Sequence, residues 1–495
     1  MKNLAILILL CLSIQMFVCK NQTFDQNQRI LRELAESQDT CLYVLLDAGS
    51  SSTKIRLYSS VCRRSSQIPK LQALVPKKAD GSDLFPDKIT ISDKSVPLTA
   101  VDLTEAAFSD YFNVAFKIIN DMKQNYNFNI KPFLFLRATA GLRLLTQDQQ
   151  EKILNLVRVT FRQQTNFYFL DDSWVKIITG EEEGLFLWLS VNYAYQNIKN
   201  QNTQQFDISK TVAVIDIGGA SAQTAFSSTF NNKILDLPEK TRVQIYSTTF
   251  LGYGNDQIIA SVLGLPSFAN CFQKTDGFTI KLKDQQKNDV EVNGDYDFVK
   301  CTNAMLSLLK ITDCEYKSDN SVVDCSASSK LKKLTNEKEI IGASSIFYAK
   351  NDLYAYLNLK GDIINLKEFR EQVQQYCKQD LTQAQYDKQK RVFTSCIQMM
   401  WVSTFLIDGL GLLNKQVTAI KKYDNYNVDW SIGSLIYDIN TLQCDYLKIS
   451  ECTDKISIQD ANLEREDSDF VTPTSSLVIN SFFSVVILLI ANLLV

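Results

Sequence analysis

One short pattern occurs twice in this chain. Asp47-Ala-Gly-Ser-Ser-Ser-Thr-Lys54 follows the apolar run Leu42 to Leu46, and Asp216-Ile-Gly-Gly-Ala-Ser-Ala-Gln223 follows Val212 to Ile215. Each reads as a strand, an Asp, then a tight turn of small residues. Either one alone could be an ordinary Gly/Ser hairpin turn. The pair restricts the fold far more: two similar half-domains face each other across a cleft, and each offers an Asp and a backbone cradle. Glycines let the backbone approach closely, clustered N–H groups bind phosphate oxygens, and Asp oxygens suit hard cations such as Mg²⁺ or Ca²⁺, directly or through bound water.

Around these loops, strands alternate with helices. Strand-like runs cover 42–47 and 53–58, Pro132 to Arg137, and Val175 to Ile178. Between Leu103 and Met122 apolar residues recur at helical spacing, as they do over Gln147 to Gln164. A further helix follows Thr179-Gly-Glu-Glu-Glu-Gly184 and runs to about Tyr195. This is an α/β layer pattern, whose ligand loops sit at the carboxyl ends of strands. Residues 265–335 read as loop-rich, and 196–209 as a polar surface loop.

Composition removes several function classes. The formal net charge is −3 and no basic-aromatic patch occurs, so nothing points to nucleic acid. The chain of 495 residues contains no histidine, which excludes Ser-His-Asp and Cys-His nucleophile systems and His-containing metal sites. Acid/base work at neutral pH must fall to carboxylates, Lys, Tyr, Cys or water.

The termini and cysteines indicate the secretory pathway. Residues 1–20 read as a signal peptide, with an apolar run from Leu4 to Val18 and cleavage near Cys19 to Asn21. Beyond Cys11 and Cys19, ten cysteines remain, and no C-x-x-C occurs. In a secreted chain they read as disulfides, and their spacing suggests the sequential pairs 271–301, 314–325, 377–396 and 444–452, with 41–62 as a fifth. Residues 451–476 read as a polar stalk. Residues 477–495 read as a hydrophobic anchor, either a glycolipid-anchor signal or a transmembrane tail. Asn21-Gln-Thr23 is a glycosylation sequon. The location expected is therefore the cell surface or a lumen.

Four clusters fall at strand ends: Asp47 to Lys54, Arg137 to Arg143, Thr179 to Gly184 and Asp216 to Gln223. Phosphoanhydride hydrolysis needs neutralised phosphates, a base for water, and a group that aims the water in line. The Asp loops supply the first. Glu181, Glu182 and Glu183 offer a base, and Ser221 and Gln223 could position the water. The plainer alternatives are that the Glu run favours a helix macrodipole, Thr139 serves as a turn hydroxyl, Lys54 and Arg143 are surface charges, and Ser52 caps a turn.

LLDAGSSSTKIRLY (45–58), LRATAGLRLL (136–145), IITGEEEGLFLW (177–188) and VIDIGGASAQTAF (214–226) resemble, in order, the first four conserved regions of the ecto-apyrase, or nucleoside triphosphate diphosphohydrolase, family. Val428-Asp-Trp-Ser-Ile-Gly433 is similar to a fifth. The resemblance implies two ribonuclease-H-like lobes of the actin/sugar-kinase/heat-shock-ATPase type around an interlobe cleft. Lobe I would cover 41–180, lobe II 181–420, and 421–450 would return to lobe I. It implies metal-dependent hydrolysis of extracellular nucleoside tri- and diphosphates with Ca²⁺ or Mg²⁺. By position, Glu183 would be the base and Ser221 and Gln223 the water-orienting pair. Asp47 and Asp216 would hold the metal's water shell. Ser50, Ser51, Ser52, Gly218, Gly219 and Ala220 would line the phosphate loops, with Thr139 nearby.

Tyr354 is the candidate base-stacking aromatic, while a second, near Ile407 to Leu412, is missing. Trp430 looks structural. Ser52 stands where many members carry His, which bears on tri- versus diphosphate preference. Arg137 stands where many membrane members have Gly, and a basic residue there is similar to the soluble diphosphatase-like branch. The competing readings are a nucleoside diphosphatase of the secretory pathway, an exopolyphosphatase-type hydrolase of the same fold, a sugar kinase of that fold, and a non-catalytic surface nucleotide-binding protein.

Overall fold

The computed structural model describes residues 40–62, 68–75, 88–91, 94–198, 207–228, 232–238, 241–309, 315–316, 322–323, 339–447 and 456–461. The expected signal peptide, its sequon and the C-terminal anchor lie outside these residues. Five strands form the first sheet: β1 (Thr40–Ala48), β2 (Thr53–Val61), β3 (Gln72–Leu74), β4 (Phe133–Ala138) and β5 (Val175–Ile177), in the order β3-β2-β1-β4-β5. The first three run antiparallel to their neighbours, while β4 is parallel to β1 and β5 to β4.

The second sheet has eight strands: β6 (Ala213–Ile217), β7 (Ser221–Ser227), β8 (Lys233–Leu237), β9 (Thr241–Leu251), β10 (Ile340–Ser344), β11 (Ile363–Asn365), β12 (Gln416–Ala419) and β13 (Ser457–Asp460). Its order is β11-β12-β10-β6-β7-β9-β8-β13. The five strands β9-β7-β6-β10-β12 repeat the first sheet strand for strand. An antiparallel run of β6, β7 and β9 is followed by β10 parallel to β6 and β12 parallel to β10. The duplication visible in two short loops thus extends to two whole sheets, the two-lobed arrangement expected from the sequence.

Among the described residues the longer helices are α1 (Glu105–Asn125), α2 (Gln147–Arg162), α3 (Gly180–Ala194), α4 (Asn255–Leu263), α5 (Phe298–Leu308), α6 (Ser345–Leu357), α7 (Leu366–Cys377), α8 (Val392–Thr404) and α9 (Ser431–Leu447). Strand alternation assigns side chains to layers. From β1, Leu42, Val44 and Leu46 face an outer core that contains Phe108, Phe112 and Phe161 of α1 and α2. Tyr43 and Leu45 face an inner core with Phe186 and Trp188 of α3 and Leu435 and Ile439 of α9. From β6, Val214 joins this inner core, while Ile215 and Ile217 face a third core with Ile346, Val373 and Trp401 of α6, α7 and α8. The central strands are covered on both faces, so they read as continuous apolar runs. Helix α3 is buried almost all round for the same reason. Helix α8 and its continuation, Val392–Gly409, form the one described helix long and apolar enough to cross a membrane, and most of it is buried in the third core.

Several expectations change. The stretch 265–335 carries α5 and a hairpin of Ile280–Lys283 with Asp289–Val292. The segment expected as a polar stalk supplies β13, because Ile456 and Ile458 turn onto Leu235 and the inner core. Disulfides Cys41–Cys62, Cys271–Cys301 and Cys377–Cys396 form, whereas 314–325 and 444–452 lie outside the described side chains. The first closes the open end of the β1–β2 hairpin.

The stretch 429–438 bonds to the first sheet. Asp429 pairs with Arg56 on β2 at 3.0 Å, Ser431 bonds the Tyr58 hydroxyl at 3.0 Å, and Asp438 pairs with Arg137 on β4 at 2.5 Å. Arg137 also donates to the carbonyls of Trp174 and Leu136. Removing one partner of a buried ion pair strands the other charge. Asp438→Ala is therefore expected to lower unfolding stability by about 3–5 kcal/mol in urea titration, and a loss under about 1 kcal/mol would contradict this account of the contact.

Candidate active site

The two Asp loops are the same turn. In the first, Gly49 donates its N–H to the Ser52 carbonyl at 3.0 Å; in the second, Gly218 donates to the Ser221 carbonyl at 2.9 Å. The strand registers also match: Asp47 lies opposite Lys54 on β2, and Asp216 opposite Gln223 on β7. The second loop is pinned from behind by the N-terminus of α4. Asn255 and Asp256 give their N–H groups to the carbonyls of Gly218 and Gly219 at 2.8 and 2.9 Å. This fit requires Gly254, because a Cβ there would stand 2.3 Å from the Ala220 nitrogen. The loops meet across the cleft: a Cβ on Gly219 would stand 2.5 Å from the Ser50 hydroxyl.

A cavity of about 480 Å³ opens between the loops. It is lined by Asp47, Ser50, Ser51, Ser52, Thr139, Glu183, Asp216, Gly218, Gly219, Ala220 and Ser221. Gln223 is buried directly behind, its amide 2.5 Å from Ser221 Oγ and 3.2 Å from Glu183 Oε2.

The three consecutive glutamates separate by role. Thr179 caps α3, and Glu182 closes a capping box by accepting from the Thr179 N–H at 2.8 Å. Glu181 is exposed. Glu183 is 7% exposed and turns into the cleft. Helix-terminus chemistry thus explains Glu182, whereas Glu183 takes no part in the cap and faces the cleft. Arg143, from the turn Ala140–Arg143 after β4, donates to Glu183 Oε2 at 2.8 Å, to Ser221 Oγ at 3.2 Å and to the Ile178 carbonyl at 2.9 Å.

Burial pushes the Glu183 carboxyl up to about 7, with the Arg143 cation opposing and the Asp216 and Asp47 charges reinforcing the rise. A base poised near neutral pH is what water activation needs in a chain without histidine. Burial also raises Asp216, partly offset by the Ser344 hydroxyl and the Lys54 charge. Ser344 ends β10 at φ 52°, a backbone conformation uncommon for a residue with a side chain, beside β6 where Ala343 pairs with Asp216.

Asp216 Oδ1 is buried without a hydrogen-bond partner among the described residues. Among those residues no cluster of three or more Asp, Glu, Cys or His side chains could enclose a metal. An orphaned carboxylate oxygen in a cleft with so few protein ligands is a place that a hydrated divalent cation would fit, with Asp216 and Asp47 as the residues that would hold it.

At the far end of the cleft stand Phe347, Tyr348, Arg391, Lys421 and Lys422. The Arg391 guanidinium lies 4.8 Å from the Tyr348 ring centroid. Tyr354 is not among the lining residues: its hydroxyl donates to the Ile363 carbonyl at 2.7 Å, and its ring packs on the third core. Tyr348, six positions earlier on α6, lines the cleft instead. No second aromatic comes from 407–412, whose start lies in the buried turn Phe405–Gly409. Arg137 does not reach the cleft lining, because Asp438 holds its charge. Trp430 is buried at the cleft's edge. The sequence placed Arg143 and Lys54 in strand-end clusters with surface charge as the plainer alternative; Lys54 lines the cleft and Arg143 stands behind it on Glu183. Their places at strand ends beside the Asp and Glu clusters were the available signal.

A carboxyl raised to about 7 thus stands against two small-residue turns on a duplicated α/β fold, an arrangement suited to phosphate chemistry. The model of the GDA1/CD39 (nucleoside phosphatase) family matches residues 33–459, and the chain belongs to that family. It is 24% identical over 463 residues to the nucleoside-diphosphatase mig-23 of Caenorhabditis elegans, with 82% of this chain and 78% of the relative covered. It is 23% identical to ectonucleoside triphosphate diphosphohydrolase 1 of Bos taurus, with 81% and 82% covered. It is 28% identical to a probable apyrase 3 of Arabidopsis thaliana, with 63% and 67% covered. Its fold is shared by a nucleoside triphosphate hydrolase of Neospora caninum, with TM-score 0.58, 13% identity, and 86% and 98% of the two chains covered.

With Glu183 as the base its ionised form is required, so kcat/KM for phosphate release should rise with pH through about 7 and fall away below it. Arg143→Ala removes the opposing cation, so the acidic limb should move to higher pH. An unmoved limb in that variant would separate it from Glu183.

Proposed function

We propose that this chain removes the terminal phosphate from nucleoside tri- and diphosphates, using water activated by Glu183 and a divalent cation, Ca²⁺ or Mg²⁺. The observation that carries this reading is the position of Glu183, buried against Ser221, Gln223 and Arg143 at the meeting point of the two turns. Family membership supports nucleotide hydrolysis, and divalent-cation dependence goes with the family.

The phosphates would lie between the turns Asp47–Thr53 and Asp216–Ser221, facing their backbone N–H groups. Bound, the cation would neutralise phosphate oxygens and help the leaving oxygen depart. Ser221 Oγ and the Gln223 amide, both within hydrogen-bond reach of one another and of the base's surroundings, would fix a water in line with the terminal phosphorus. The Glu183 carboxylate would accept the proton of that water as its oxygen attacks the terminal phosphorus and the bridging oxygen leaves with the rest of the nucleotide. Arg143, already bonded to both Glu183 and Ser221, would hold this pair in register. The nucleobase would stack on Tyr348, with Arg391 beside it. The disulfides fit an oxidising compartment, so the proposed location is the cell surface or a lumen of the secretory pathway.

Phosphate release by the full chain from ATP, ADP, UDP and inorganic polyphosphate, with Ca²⁺ or Mg²⁺ and with chelator, tests the reading. Cation-dependent release from nucleotides is expected, and release from UDP with little from ATP would narrow it to a nucleoside diphosphatase. Release from polyphosphate alone, or tight nucleotide binding with no turnover, would overturn it.

A further inference from the structure

The two Asp loops match in turn and register but differ in what neutralises each carboxylate. Opposite Asp47 stands Lys54, whose ammonium lies 2.9 Å from Asp47 Oδ2. Opposite Asp216 stands Gln223, whose amide is turned to Ser221, Glu183 and Thr249 instead. Asp216 Oδ1 is left with no partner among the described residues. One loop therefore carries a cation bonded to its carboxylate, while the other, helped by the Ser344 hydroxyl, keeps one bare acceptor, Asp216 Oδ1.

From this asymmetry, and resting on the cation-assisted reading above, we infer that Lys54 holds the divalent cation's place on Asp47 and so couples cation binding to nucleotide binding. Asp216 is the open anchor. A hydrated cation arriving alone gains Asp216 but must displace the Lys54 ammonium before it shares Asp47. Lys54 lines the same cavity as the phosphate turns and its side chain is 34% exposed, so it has room to leave. A polyphosphate bound in that cavity offers the displaced ammonium another anion. With nucleotide present, the cation takes Asp47 without leaving a cation unpaired. Each ligand then strengthens the other by the same factor, as linkage requires. Without Lys54 the first carboxylate stands open, and the cation binds well on its own.

Calorimetric titration of Ca²⁺ into the full chain, with and without the β,γ-imido analogue of ATP, tests this directly. Wild type should bind Ca²⁺ weakly alone and much more tightly with the analogue. Lys54→Met should bind Ca²⁺ alone on the order of tenfold more tightly than wild type, with a correspondingly smaller gain from the analogue. Lys54→Gln carries the same expectation, should the methionine variant fail to fold, and Lys54→Arg should keep the wild-type pattern. A charge-free variant that binds Ca²⁺ no better than wild type, while wild type still binds Ca²⁺ with the analogue, overturns the inference and leaves the hydrolase reading intact. No Ca²⁺ binding by wild type even with the analogue would overturn both.

Discussion

A single backbone hydrogen bond, made twice, organises the cleft. Gly49 to Ser52 and Gly218 to Ser221 close identical turns, and each turn ends a central strand on an Asp. Because β1 and β6 occupy the same place in two sheets of the same order, the turns emerge at corresponding edges. The helix α4 N-terminus then takes up the carbonyls of the second turn and fixes its place at the cleft. The inner core of α3 and α9 lies between the sheets and delivers Glu183 to the same point, since the residue begins a helix otherwise buried along its length.

Electrostatics inside this frame pull in opposite directions. Burial and the two Asp carboxylates favour a protonated Glu183, while Arg143 favours the ionised form. The balance near neutrality comes from a desolvated carboxylate with one cationic neighbour, not from a residue type that titrates there by itself. The same cleft carries Lys54 against Asp47 and Arg56 against Asp429. Three of its acidic groups, Asp47, Asp429 and Glu183, are thus paired with a cation before any ligand arrives, whereas Asp216 keeps a bare oxygen.

Much of this was legible in the sequence. The hairpins at 42–58 and 213–227 follow from apolar runs around small-residue turns, and α1 to α3 from clear helical spacing. The loop residues, Glu183, Ser221 and Gln223 all line or back the cleft as expected. What the sequence hid depends on long-range contact. Arg143 reads as a surface charge until a helix forty residues on brings Glu183 to it. Tyr354 and Tyr348 lie on one helix, and only the packing of α6 decides which ring meets the cleft. The strand at Ser457–Asp460 is short and polar, and it exists because β8 offers an edge to pair with. Glu182 and Glu183 could be told apart only once the cap at Thr179 was located.

The central claim is that Glu183 takes the proton while the two turns hold the nucleotide. Glu183→Gln separates these roles, because it keeps the shape of the side chain and removes the base. The most direct measurement is turnover and analogue affinity of that variant in one buffer, with cation present. Turnover should drop by about 10²–10⁴-fold while affinity for the β,γ-imido analogue stays close to wild type. Turnover near the wild-type rate would contradict the assignment of the base, and with it this account of the site.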